Sequence, residues 1–361
     1  MKLKSILSAL LATTMVLAMT ACSDSKPATS SQSSAPSQSN GAATEAPKTD
    51  YPKKPITMIV PYGAGGTTDL SGRQLAIQLS KHLGQSITVV NQGGASGSVG
   101  CKTVLDANPD GYTILYTAES LGTQRVMGIS EMSYADFAPI MTVVNDPKVI
   151  VVSKNSKYNT LEDLVNDMKA NPGKVKMSYT GPGGSGHVQA LIYNKFGLDM
   201  AMTAYAGGND CIVAVLGDQV DFTNSNFSTV VSYIESGDLK LLGISANDRL
   251  EKYPDVPTLS EVIPEAAEFL DIPFTPLSLL VDKDVPVEVQ DVLRVAAQKA
   301  VEEEDWKKFV ADNCLDALYE KYKTPDEMNK FYTEWESLVS WLLFDAGAAK
   351  NSPEQFNIAK P

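Results

Sequence analysis

The chain has 361 residues, 43% hydrophobic, 20% charged and 7% aromatic, which is long enough for two domains with real cores and too polar for a polytopic membrane protein or a wholly disordered chain. Its 43 acidic side chains against 30 basic ones give a formal charge of -13. That is the wrong sign for a phosphate backbone, so no nucleic-acid partner is expected.

Lys2 and Lys4 precede an uncharged apolar run over residues 6–19. The run has the length of a signal-peptide core, not of a membrane span, so residues 1–21 read as an export signal. Met19-Thr20-Ala21-Cys22 resembles a bacterial lipobox, which makes Cys22 the lipidated first residue of the mature chain and the lipid its hold on the membrane. Cleavage by an ordinary signal peptidase, with Cys22 incidental, is the alternative. Residues 22–50 are rich in Ser, Gln, Ala, Pro and Thr and lack apolar periodicity. Such a composition cannot bury enough surface to fold, so they form a disordered tether, and the folded part begins near Tyr51.

The apolar run 56–60 predicts a strand. It ends at Pro61 and a glycine-rich loop, Tyr62-Gly63-Ala64-Gly65-Gly66-Thr67-Thr68, after which Asp69 reads as a helix N-cap and Leu70, Leu75, Leu79 and Leu83 as one apolar stripe. The same unit of strand, loop and helix recurs at 87–90 with the loop 91–98, at 175–179 with the loop 180–187, and at 202–205 with the loop 206–210. Each Gly-Gly pair therefore falls at the carboxyl edge of a strand, where open α/β sheets bind ligands. Further strands are expected at 112–116, 149–152, 220–222 and 239–244, and a helix at 161–168. Alternation of this length predicts α/β architecture with mainly parallel strands. The C-terminal part is largely helical, with a helix at 287–301 and a core stripe at Phe331, Trp335, Leu338 and Leu342.

Glycine before a helix admits unusual backbone dihedrals and lets a ligand approach main-chain N–H groups, whose aligned dipoles favour negative charge. Several such loops around one cleft make an anion site without a cationic side chain. Enzyme motifs fail in specific ways. Residues 63–68 do not complete G-x-G-x-x-G, and no Gly-Lys-Ser/Thr closes a phosphate loop. Gly183-Gly184-Ser185-Gly186-His187 approaches a nucleophile elbow, so a serine hydrolase using Ser185 with His187, or with His82, is one alternative. His82 and His187 are the only histidines, which leaves no material for a zinc site. Apart from Cys22, the cysteines Cys101, Cys211 and Cys314 form no complete disulfide set and read as small buried side chains. No cofactor, metal or catalytic residue is expected.

In order along the chain, Tyr51-Pro52-Lys53-Lys54-Pro55-Ile56, the run from Val60 through the first glycine loop to Asp69, residues 91–100, Ala107-Asn108-Pro109-Asp110-Gly111-Tyr112-Thr113, Asn171-Pro172-Gly173-Lys174, Leu216-Gly217-Asp218-Gln219-Val220-Asp221 and Tyr253-Pro254-Asp255-Val256-Pro257-Thr258 strongly resemble the Bug/TctC family, the extracytoplasmic solute receptors of tripartite tricarboxylate transporters. The resemblance implies a two-lobed periplasmic-binding-protein type II fold with the ligand in the cleft between lobes. It places lobe I at 51–146 plus 272–361 and lobe II at 147–271, and two crossings of the chain would make a hinge that couples affinity to closure. It implies a small carboxylate ligand, clamped by Tyr62, Gly63, Ala64, Gly65, Gly66, Thr67 and Thr68 from lobe I and by Thr180, Gly181, Gly184, Ser185 and His187 from lobe II. Ser96, Gly97, Thr117 and Ser120 would line the first lobe, and Tyr205, Gly207, Gly208 and Asp210 the second. The implied partners are the large and small membrane subunits of the transporter, served by a monomeric receptor; a stand-alone sensor for a membrane signalling protein is the other alternative. The sequence departs from the family pattern at 209–210 and 271–276.

Overall fold

The computed structural model describes residues 49–205 and 207–361. The signal segment, Cys22 and the tether up to residue 48 lie outside the described residues.

The first half of the chain builds β1 (Ile56–Val60), α1 (Thr67–Leu83), β2 (Ile87–Asn91), α2 (Ser98–Asp106), β3 (Thr113–Thr117) and β4 (Phe137–Asn145), then β5 (Lys148–Ser153), α3 (Leu161–Ala170), β6 (Lys176–Tyr179) and α4 (Ser185–Lys195). It continues with β7 (Ala201–Ala204), α5 (Gly208–Leu216), β8 (Phe222–Asn226), α6 (Phe227–Glu235), β9 (Leu239–Ile244), α7 (Leu259–Val262) and β10 (Pro276–Asp282), and closes with α8 (Val287–Glu302), α9 (Glu304–Asp312), β11 (Asp316–Ala317) and α10 (Pro325–Asp345).

The strands form two sheets, β11-β4-β10-β3-β1-β2 and β7-β6-β8-β5-β9. Side chains alternate across the first: Ile56, Met58 and Val60 of β1 face a core with Leu75, Leu79 and Leu83 of α1, whereas Ile59 faces one with Phe331 and Trp335 of α10. Both faces are thus covered by helices, and the strands read as continuous apolar runs. The expected alternation of strand and helix holds, but the sheets are mixed, not mainly parallel. β1, β2 and β3 run parallel, as do β6, β7 and β8. β10 inserts antiparallel between β3 and β4, and β5 antiparallel between β8 and β9. The physical reason is that each of these strands follows a passage from the other sheet and enters from the opposite end.

Other local expectations shift. The N-cap of α1 is Gly66, not Asp69, which sits in the first turn, and Leu70 is exposed while Leu75, Leu79 and Leu83 are buried. The strand expected at 220–222 is β8 at Phe222–Asn226. In α10, Val339 and Leu343 are buried instead of Leu338 and Leu342. That helix starts on a capping box, Thr324 with Glu327, with Pro325 in its first turn, so its entry point is locally specified. Burial of its Phe331 and Trp335 stabilises the fold by roughly 2–3 kcal/mol each, and Trp335 Nε1 donates to Pro273 O at 2.8 Å, next to the return into β10.

The two passages between sheets lie side by side. Asn145 Oδ1 accepts from Thr275 N at 2.9 Å, and Asp146 N donates to Thr275 O at 3.3 Å. Cys101, Cys211 and Cys314 are free. No helix among the described residues is long and apolar enough to cross a membrane.

Candidate functional site

The carboxyl ends of β1, β2 and β3 from one sheet and of β6, β7 and β8 from the other converge on a cavity of about 430 Å³. All four Gly-Gly loops contribute to its wall through Gly66, Gly93, Gly94, Gly181, Gly207 and Gly208.

The first loop shows how local sequence builds the rim. Gly65 adopts φ +78°, a region that L side chains avoid, and turns its amide onto Asp69 Oδ2 at 2.9 Å. Gly66 then caps α1 from ordinary extended backbone, which leaves the amides of the cavity-lining Thr67 and Thr68 at the helix start without intrahelical acceptors. Burial works to raise the Asp69 pKa, but hydrogen bonds from Arg73 and from Gly65 outweigh it and hold the carboxyl below the usual carboxylate range. Gly97, at φ +90°, lets the chain pass Tyr62, whose ring a Cβ would approach to 3.2 Å.

The third loop repeats the design. Gly183, at φ +79°, donates its amide to His187 Nδ1 at 3.1 Å, and Gly184 caps α4. The Ser185 amide donates to Glu119 Oε1 at 2.7 Å, so a carboxylate from the other sheet already occupies this helix start. Thr123 Oγ1 donates to Gly183 O at 3.0 Å and Ser96 Oγ to Pro182 O at 3.3 Å, which further tie this loop to the opposite sheet.

Behind the lining residue Thr67 the buried Asp146 carboxylate accepts from the Thr67 and Ser228 hydroxyls, joining α1 to α6 across the sheet passage. Burial raises its pKa, and the two hydroxyls act against that. Beyond it Lys148 and Asn226, opposite one another on β5 and β8, line the cavity together with Asn224, Ser225 and Thr229.

Of the residues expected at the site, Tyr62, Gly63, Gly66, Thr67, Thr68, Ser96, Gly97, Ser120, Thr180, Gly181, Ser185, Tyr205, Gly207 and Gly208 line the cavity. Six do not. Ala64 and Gly65 stand on the exposed crest of their loop. Thr117 is fully buried behind Tyr62, their hydroxyls 3.4 Å apart. Gly184 is buried where a Cβ would meet Thr180 O at 2.9 Å, so it serves the turn. His187 is buried behind the cavity-lining Tyr179, stacked on its ring; as acceptor for Gly183 N its Nδ1 is unprotonated, and burial lowers its pKa. Asp210 is exposed on the first turn of α5.

The hydrolase alternative loses its base on this geometry: His187 makes no hydrogen bond to Ser185, and His82 bonds Glu303 at 2.9 Å away from the cavity. Sequence reading also missed Lys148, Asn224 and Asn226, and reached Glu119 only as part of the run 117–120. The available signal was a polar pair of runs where apolar strands were due: a lysine opening the strand of Lys148–Ser153, and the buried but polar strand of Phe222–Asn226. A cationic side chain that the sequence reading did not anticipate, the buried Lys148, lines the cavity. Among the described residues no group of His, Cys, Asp and Glu could hold a metal ion.

Comparison with known proteins agrees with the architecture. The family model described as tripartite tricarboxylate transporter family receptor matches residues 72–336. Protein BugT of Bordetella pertussis is 33% identical over 227 residues, covering 62% of this chain and 70% of that protein. The structure of the periplasmic binding protein BugD superposes with a TM-score of 0.76 at 26% identity, covering 83% of this chain and all of the other (100%). An R. palustris protein solved with adipate gives a TM-score of 0.74 at 21% identity over 83% of this chain and 99% of that one, a likeness of fold.

Proposed function

The chain belongs to the tripartite tricarboxylate transporter receptor family, and from that premise we propose that it captures a small carboxylate in the cavity between its two sheets and delivers it to the large and small membrane subunits of such a transporter. It is a solute-binding receptor of periplasmic-binding-protein fold. In this reading the lobes are 51–146 with 272–361, and 147–271, closing on the ligand about the paired passages at 146–147 and 275. Export by the signal at 1–21 and a lipid on Cys22 place the monomeric receptor outside the cytoplasm and beside the membrane that holds its partners.

The observation that carries the proposal is that helices from both sheets, α1 and α5, place their amide-rich starts at one cavity through glycine loops bare of side chains. Such helix starts attract anions, and small flat carboxylates suit bare amides. The adipate in the R. palustris protein is a ligand of this class.

A thermal-shift screen of mono-, di- and tricarboxylic acids tests it. A bound acid at a hundred times its dissociation constant should stabilise the fold by about 2.7 kcal/mol, while sugars and nucleotides should leave the melting temperature unchanged. A shift confined to sugars would reject the carboxylate reading.

A further inference from the structure

The cavity floor is unlike its rim. Lys148 is 5% exposed, and its ammonium donates to Asn226 Oδ1, its cross-strand neighbour. No carboxylate among the described residues stands within ion-pair distance of it. Of its carboxylate neighbours, Asp146 accepts from Thr67 and Ser228, while Glu119 accepts from the Ser185 amide through one oxygen and its other oxygen has no hydrogen-bond partner. Burial pulls the Lys148 ammonium below the usual lysine value, and the charges of Glu119 and Asp146 only partly offset this.

An ammonium has three N–H donors, and one is used here. Because Oδ1 of Asn226 accepts from the ammonium, its Nδ2 is a donor; it is buried, in a residue 7% exposed, and has no acceptor. Two adjacent donors, one of them charged, thus meet at the cavity floor with no protein carboxylate in hydrogen-bond contact with either. Buried charges are retained where a partner compensates them.

We propose that Lys148 and Asn226 form a second anion subsite, which holds the distal acidic group of the ligand while the glycine-loop amides hold the proximal carboxylate. The protein is then a receptor for dicarboxylates, and this residue pair sets the preference. The inference rests on the carboxylate-receptor reading above. The cavity of about 430 Å³ accommodates a short dicarboxylate with bridging water.

Calorimetry on the full chain with matched acids tests it, using adipate against hexanoate and succinate against butyrate. Wild type should bind each dicarboxylate about tenfold or more tighter than its monocarboxylate match, since charge-assisted hydrogen bonds are the strong ones. Lys148→Gln should erase that preference and keep monocarboxylate affinity within roughly threefold, without lowering the melting temperature of the unliganded protein. Asn226→Asp keeps the acceptor for the ammonium and replaces the donor by a charge, so it should fold and also lose the preference. Equal weakening of both acid classes in Lys148→Gln, or a fall in melting temperature with the preference intact, would make the ammonium structural and overturn the subsite. Wild type binding mono- and dicarboxylates alike would overturn the subsite and leave the receptor reading standing. No binding of any acid would remove both.

Discussion

The starts of α1 and α4 are one design built twice and used differently. In each, a glycine at positive φ, Gly65 at 78° or Gly183 at 79°, precedes an extended N-cap glycine, Gly66 or Gly184. In each, the third helical residue reaches back to accept the first glycine's amide: Asp69 Oδ2 at 2.9 Å and His187 Nδ1 at 3.1 Å. The surroundings then diverge. At Gly65 a Cβ would meet nothing within 4 Å, whereas at Gly183 it would lie 2.7 Å from Thr123 Oγ1 and 2.8 Å from Met127 Cγ. The first α1 amides belong to cavity-lining residues, while the first α4 amide is taken by Glu119. Identical backbone chemistry thus leaves an open helix start on one side and makes a fastening between sheets on the other. What separates them is where the neighbouring sheet supplies a carboxylate.

The largest expected difference is steric. Gly183→Ala should cost about 3 kcal/mol, from the backbone conformation plus overpacking, and Gly65→Ala about 1 kcal/mol from the conformation alone. Urea denaturation of both variants reads this directly, and equal losses would show that the second loop is not pinned against the opposite sheet.

Next in size is the fastening itself. Glu119→Ala removes the acceptor of a buried amide and should cost about 2 kcal/mol, with part of the loss recovered in high acetate as the freed helix start takes an external anion. A variant as stable as wild type would return Glu119 to a passive wall residue.

The smallest expected effects are in acid, and they come at different pH. Burial depresses the folded pKa of His187 below its unfolded value of about 6.5. The unfolded chain therefore takes up this proton first, so stability present above about pH 6.5 is lost as pH falls through the folded value. Asp69 is also held below its unfolded value, near 3.9, so its contribution survives until pH falls below about 4. Hydrogen exchange should accordingly show the 180–187 loop loosening as pH falls below about 6.5 while the 61–66 loop stays protected down to about pH 4, and His187→Gln should remove the first transition. Simultaneous loosening of both loops would break the contrast between a histidine-backed and a carboxylate-backed turn. Ligand affinity should not follow His187 by direct contact, because its ring lies outside the cavity.

Features with local causes were legible in the order of the residues. Glycine pairs between an apolar run and a helical stripe mark a turn with a bare amide, three of them with a glycine at positive φ, and all four such loops reach the cavity. The order of strands and helices was legible for the same reason, since burial on one or both faces imposes its period on neighbouring residues. Tertiary structure alone decided the rest. Which strands run antiparallel depended on where the chain passes from sheet to sheet, as β10 and β5 do. The use of each glycine loop depended on partners far along the chain: Glu119 meets Ser185 across 66 residues, and Lys148 meets Asn226 across 78. A charged side chain in a sequence carries no record of what it faces. Only the fold, by burying Lys148 beside an amide and out of ion-pair reach of any described carboxylate, made it a candidate for a ligand's charge, because desolvation and pairing are properties of the assembled neighbourhood and not of the residue.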